Sequence, residues 1–276
     1  MTARREKVLN YTILGVFVAS TLLPLLGVVD NALGPPSSLS ATLTIPHSLS
    51  SLHPGNLVTA WNQGHFSQYM ISSMIVSSVA SVLVCAVSLM AGYALGTMSF
   101  RGREAVFYVF LLGIMVPEEA LIVPLYFDLR NLGLTDTYWS LILPQSAGIL
   151  SFGVFWMRAF FRTTPPALRE AAAIDGASSW STLVRILLPI SRPALLTLAM
   201  LTFMWTWNEF LLPLVMIATQ SRYTVPLGLS FFRGEHLTQY SLLSAASLIV
   251  AAPIVILYLI FNRRFIAGMM AGAVKE

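Results

Sequence analysis

Residues 170–189 read EAAAIDGASSWSTLVRILLP, a polar, alanine-rich stretch between two long apolar runs. It carries Glu170, Asp175 and Arg185, a central Gly176 and a terminal Pro189. Upstream, Pro165-Pro166 follows Thr163-Thr164, so Thr164 is placed to cap a helix whose first turn accepts proline. The run ALREAAAID (167–175) is built from strong helix formers. Gly176 permits a sharp turn that other residues resist. SSWSTLVRILLP (178–189) then restarts a helix, with Ser178 or Ser179 as cap and Trp180, Leu183, Val184 and Leu187 at helical spacing. Pro189 is expected to end it. Region 163–190 thus reads as two short helices joined at a glycine and lying along a membrane surface. Ala171, Ala172 and Ala173 let another surface approach closely, and Glu170 offers a charge to an arginine or a helix N-terminus. Docking of a partner and an ordinary interfacial amphipathic helix both fit these residues.

The rest of the chain is built for lipid. Of 276 residues, 56% are hydrophobic and 10% charged, against about 25% charged in a soluble domain. Mean hydropathy is +0.75. Several apolar runs reach the roughly 20 residues that cross a bilayer. We read an all-α polytopic membrane protein forming one membrane domain over 1–276. Its six spans lie at about 8–29, 69–96, 104–127, 137–160, 191–217 and 239–262. Prolines 24, 117, 124, 144, 213 and 253 fall inside them, which neighbouring helices and Ser/Thr side chains can accommodate. The apolar core of a signal peptide is about 7–15 residues; the first run is nearer a full span and is read as retained. Residues 30–68 read as an ordered external loop with turns and a short helix.

Thirteen of the sixteen Lys and Arg fall on one side of this topology. They are Arg4, Arg5, Lys7, Arg101, Arg103, Arg158, Arg162, Arg169, Arg185, Arg192, Arg263, Arg264 and Lys275; Arg130, Arg222 and Arg233 fall on the other. The positive-inside rule makes the richer side cytoplasmic, with both termini and residues 170–189. The isoelectric point near 9.4 therefore reports membrane orientation, not nucleic-acid binding.

Several chemistries are missing. Lys7 and Lys275 are the two lysines, and neither sits in a phosphate-cradling G-x-x-x-x-G-K-[ST] loop. There is no HExxH, G-x-S-x-G or dinucleotide fingerprint. His47, His53 and His65 match no zinc spacing, and Cys85, the single cysteine, can form no internal disulfide. We expect neither an enzyme nor a resident cofactor or metal. Active transport would then draw on an ion gradient or on a partner.

The spacing E-A-A, three residues, G, nine residues, I, one residue, L-P resembles the cytoplasmic signature of binding-protein-dependent ABC importer permeases. Glu170, Ala171, Ala172, Gly176, Ile186, Leu188 and Pro189 supply it, with Asp175 and Ala177 completing D-G-A. The resemblance implies a type I importer permease fold in a bacterial or archaeal cell membrane. It also implies that this stretch is the coupling helix region, seated in an ATP-hydrolysing subunit. The implied partners are a homologous permease, two ATP-binding subunits carrying ATP and Mg, and an extracytoplasmic solute-binding protein. PLYFDLRNLGLTDTYWSLILP (124–144), FMWTWNEFLLPL (203–214), TVPLGL (224–229) and RRFIAGMMAGAVKE (263–276) are similar to stretches of the carbohydrate, maltose-type branch, in its second six-span subunit. The tail departs from that pattern at Glu276, where glycine is usual.

Charges inside spans are costly and mark function by default. Glu118 and Glu119 in span three, and Glu209 in span five, are expected to face one outer-half cavity. There carboxylates and amides, Asn208 among them, would bond sugar hydroxyls, with Trp205 or Trp207 as stacking surfaces. Glu209 fits equally a structural role on backbone or a neighbouring subunit. Glu118 and Glu119 fit equally a contact with the solute-binding protein or a wet outer opening. Two other functions stay open from the residues alone: a secondary transporter or channel relaying protons through these acids, and a membrane scaffold or sensor.

Overall fold

The computed structural model describes residues 2–35, 52–232 and 239–273. His47 with the 36–51 part of the external loop, Arg233, and Lys275 with the last residues of the tail lie outside them. The described residues contain helices and no strand. The chain divides into two compact units, residues 1–67 with 228–253 and residues 68–227 with 254–276.

In the first unit, α1 (Thr2–Leu33) is a long apolar rod and α2 (Gly55–Gln63) is the short helix expected in the external loop. The carbonyls at the end of a helix need outside donors. Buried Asn56 provides them, donating through Nδ2 to Ala32 O at 3.0 Å and Gly34 O at 2.8 Å. The His53 amide donates to Leu33 O at 2.7 Å. Phe66, at the start of α3 (Phe66–Thr97), stacks on Phe232 with centroids 6.4 Å apart. His53 and His65 are exposed, as expected.

The second unit is organised around α6 (Trp139–Thr163). Two glycines bring α3 against it. A Cβ at Gly92 would strike Met157 and the backbone of Arg158, and one at Gly96 would meet Phe161 and the Arg158 carbonyl. Small residues one turn apart let membrane helices approach this closely. Met157 and Phe161 then join Val84, Leu183, Leu187 and Leu198 in one apolar core.

Five helices are each long and apolar enough to cross a membrane, and the count reaches six when one bent pair is taken as a single span. That pair corrects the straight span expected at 104–127. α4 (Arg103–Ile114) and α5 (Glu118–Asn131) meet at 97°. Pro117 is the cause: it has no N–H to continue the ladder and pushes Val116 away from helical geometry.

Pro189 produces a second correction, because it does not end the helix. α7 (Ala167–Ile174) turns at Gly176, whose φ of +76° suits glycine, and the chain restarts at α8 (Ser179–Ser181). A π-helical turn (Thr182–Leu187) follows, in which the Leu188 amide reaches back five residues to Leu183 O. α9 (Leu188–Asn208) then continues, so Ser179–Asn208 is one 30-residue helix. The widened turn falls immediately before Pro189, whose position near the start of α9 needs no amide donor. The fifth span expected at 191–217 stops at Asn208; Glu209 is extended and a separate α10 (Leu211–Met216) follows. Ser178 caps the restart, its Oγ accepting from Ser181 N at 3.2 Å. Thr164 does not cap α7: its hydroxyl donates to Phe160 O. α11 (Val225–Gly228) and α12 (Tyr240–Ala273) follow.

A polar clasp joins the α5–α6 turn to the segment after α10. Asp136 Oδ1 accepts from Thr219 N at 2.9 Å and Ala218 N at 3.1 Å. Its Oδ2 accepts from the Thr219 hydroxyl at 2.6 Å and Arg222 Nη1 at 3.0 Å. The Thr219 hydroxyl and amide, then Ala218 and Arg222, hold this carboxyl below the usual aspartate range.

Two outcomes follow. Gly92→Leu is expected to lower the detergent melting midpoint, since overpacking costs about 1–3 kcal/mol. Gly15→Leu, where nothing lies within 4 Å, serves as the neutral control. For Asp136 the folded-state pKa is depressed, so its contribution is present above the ordinary aspartate value of about 3.9 and is lost as pH falls through the lower folded value. Asp136→Asn should therefore remove part of the decline in melting midpoint below about pH 4 and weaken the clasp at neutral pH.

Candidate functional site

The break at Pro117 places Glu118 and Glu119 in the first turn of α5, where a helix N-terminus tolerates anions. Gly148 on α6 leaves room for the Glu118 carboxylate, because a Cβ there would collide with it. At the end of the long helix, Glu209, one residue before the N-cap Phe210, accepts through Oε1 from Leu212 N in the first turn of α10 at 2.9 Å. These elements enclose two adjoining cavities of about 520 and 630 Å³, both lined by Glu118, Gln145, Gly148 and Glu209. Glu119 and Ser151 line the first, Trp205 and Asn208 the second.

The three acids expected to share a cavity do share one. Trp205 is a half-exposed wall, edge-on to Phe152 at 5.2 Å. Trp207 is not: it is 1% exposed and stacked on Phe203 at 5.5 Å, a packing residue rather than a stacking surface for a ligand. Asn208 turns its amide back onto Met204 O at 2.7 Å. Glu209 performs the structural role the sequence left open while also lining both cavities. Gln145 was missed. It is 6% exposed, and among the described residues neither amide atom has a hydrogen-bond partner. An amide following Pro144 in an apolar span was the available signal.

The hairpin at 163–190 lies elsewhere. Arg169 Nη1 donates to Thr97 O at 2.7 Å and so ties α7 to the end of α3. Ala172, Leu183 and Leu187 are buried and Ile186 and Leu188 half-buried, which fixes the inner face. Glu170, Ala171, Asp175, Gly176 and Pro189 are exposed and Ala177 is half-buried. Two apolar side chains stand out on either side of the glycine turn, Ile174 at 87% exposure and Trp180 at 63%.

Membrane-length helices, a bent helix pair, an apolar cavity carrying three acids and an apolar-tipped surface hairpin together define a multi-pass transport component. Residues 88–269 match the family model for the binding-protein-dependent transport system inner membrane component, and the chain belongs to that family. It is 39% identical over 226 residues to the "Probable ABC transporter permease protein YurM" of Bacillus subtilis, covering 82% of this chain and 75% of that one. It is 31% identical over 275 residues to the diacetylchitobiose uptake system permease protein NgcG of Streptomyces coelicolor, covering 99% and 90%. The trehalose transport system permease protein SugB of Mycobacterium tuberculosis is 32% identical over 260 residues, with 94% of each chain covered. Among solved structures, a bacterial ABC transporter involved in import of the acidic polysaccharide alginate shares the fold, with a TM-score of 0.79 at 18% identity, covering 96% of this chain and 98% of that one.

The Glu209–Leu212 bond has a measurable consequence. Losing a side-chain hydrogen bond costs about 1 kcal/mol, so Glu209→Ala should lower the melting midpoint, while Glu209→Gln, which keeps an acceptor oxygen, should lie near the parent.

Proposed function

We propose that the chain is the second membrane subunit of an ATP-driven importer of carbohydrate, forming the pathway with a homologous permease. The observation that carries this reading is the hairpin: exposed Ile174 and Trp180 flank Gly176 on a segment continuous with a membrane-length helix. An apolar tip with Glu170 beside it suits a cleft in a partner protein. The chain has no phosphate-cradling lysine loop, so ATP and Mg are assigned to two partner ATPase subunits. The weight of thirteen cationic residues on one side supports a cytoplasmic hairpin and cytoplasmic termini. The diacetylchitobiose and trehalose relatives support a carbohydrate cargo, delivered at the outer face by a solute-binding protein. When the ATPase subunits close on ATP, the hairpin moves with them and shifts the spans between inward-facing and outward-facing states. Such a shift requires each ligand to bind the two states differently.

Co-purification tests this. The parent chain should carry a bound ATPase out of detergent-solubilised membranes, and Glu170→Arg should lose most of it while keeping the parental melting midpoint; Gly176→Trp, strained at a φ of +76°, should lose it with a lowered midpoint. Solute flux with no ATPase ever bound would favour a secondary transporter; absence of any flux would favour a scaffold.

A further inference from the structure

The cavity pair has a charge character that bears on what it admits. Glu118, Glu119 and Glu209 line it, and no Lys, Arg or His does. The α5 N-terminus offsets part of this charge, and the Leu212 amide satisfies one oxygen of Glu209. Among the described residues, Glu118 and Glu119 have no ion-pair partner. Gln145 supplies an independent sign of a ligand: a buried side chain with donor and acceptor both unmatched, on the wall of both cavities. Buried amides are normally satisfied, and an amide presents one donor face and one acceptor face, the pair that a sugar hydroxyl complements. Trp205 gives the second cavity an aromatic wall, suited to the apolar face of a pyranose.

We propose that this cavity is a carbohydrate subsite that accepts neutral and amino sugars and turns away uronates and sugar phosphates. Acceptor-only carboxylates take hydrogen bonds from hydroxyl and ammonium groups. Between the helices, with no cation on the wall, the carboxylates that stay ionised repel a second anion more than they would in water. The selection deepens the importer reading and rests on carbohydrate being the cargo.

The test uses the assembled importer in membrane vesicles, with Cys85→Ala as background and Ala147→Cys as reporter on the cavity wall. Leu121→Cys, from α5, reports the same cavity if the first variant does not assemble. Labelling rates are measured with size-matched cationic and anionic methanethiosulfonates, each normalised to its rate on 2-mercaptoethanol. The cationic reagent should be favoured at least tenfold, and Glu118→Gln with Glu119→Gln should collapse that ratio. Glucose and glucosamine should slow labelling at concentrations at least tenfold below those needed with glucuronate. A normalised ratio near one, a ratio unmoved by the Gln variants, protection by glucuronate equal to that by glucose, or no protection by any sugar would each overturn the subsite. None of these bears on whether an ATPase co-purifies, so the importer reading stands or falls separately.

Discussion

Arg158 is the interaction on which the second unit depends. Arg158 is 5% exposed; its guanidinium donates to Leu95 O at 3.1 Å and Glu104 Oε2 at 2.6 Å, and lies 3.6 Å over the Phe107 ring. A buried cation is costly unless its hydrogen bonds and charge are met, and here α3 and α4 each meet part of the need of this α6 side chain. The same contact sets the α3–α6 crossing that Gly92 and Gly96 make close. It also fixes the start of α4, and therefore where the chain stands when Pro117 breaks it. Arg158 entered the sequence reading only as one of thirteen cytoplasmic charges. Its burial depends on a glutamate 54 residues away, a pairing that no local pattern announces.

The cavity and the hairpin are two ends of one element. Ser179–Asn208 is 30 residues long, about 45 Å at 1.5 Å per residue. It begins beside Trp180 at the exposed tip and ends at Glu209 in the cavity wall. A displacement imposed on the hairpin would reach the cavity through this helix, whose irregularities are the π turn before Pro189 and Pro193 inside α9. Such turns recur at functional sites because they admit small local rearrangements at little cost. The Arg169 bond to Thr97 O gives the hairpin a second attachment, to the end of α3.

Much of this was legible from residue order. The all-α class, the apolar rods, the glycine turn at 176, the Ser178 cap and the convergence of Glu118, Glu119 and Glu209 all rest on local periodicity or on the cost of charge in lipid. Two of the losses share one cause, which is that proline has two readings. Pro117 broke a span that hydropathy drew straight, whereas Pro189 sat within a helix that propensity ended. The difference lies in what precedes each: a π turn absorbs the missing donor at 189, and nothing does so at 117. Trp207 was misjudged for a related reason, since which face of a helix meets the core is decided by packing partners such as Phe203 and not by residue type.

The central claim is that a hairpin without its own nucleotide site couples this membrane chain to an ATPase. The most direct measurement is solute accumulation in proteoliposomes holding the assembled importer and its solute-binding protein, with and without enclosed ATP and a protonophore. The account predicts accumulation that requires ATP and persists when the proton gradient is collapsed. Accumulation that proceeds without ATP and disappears with the protonophore would contradict it.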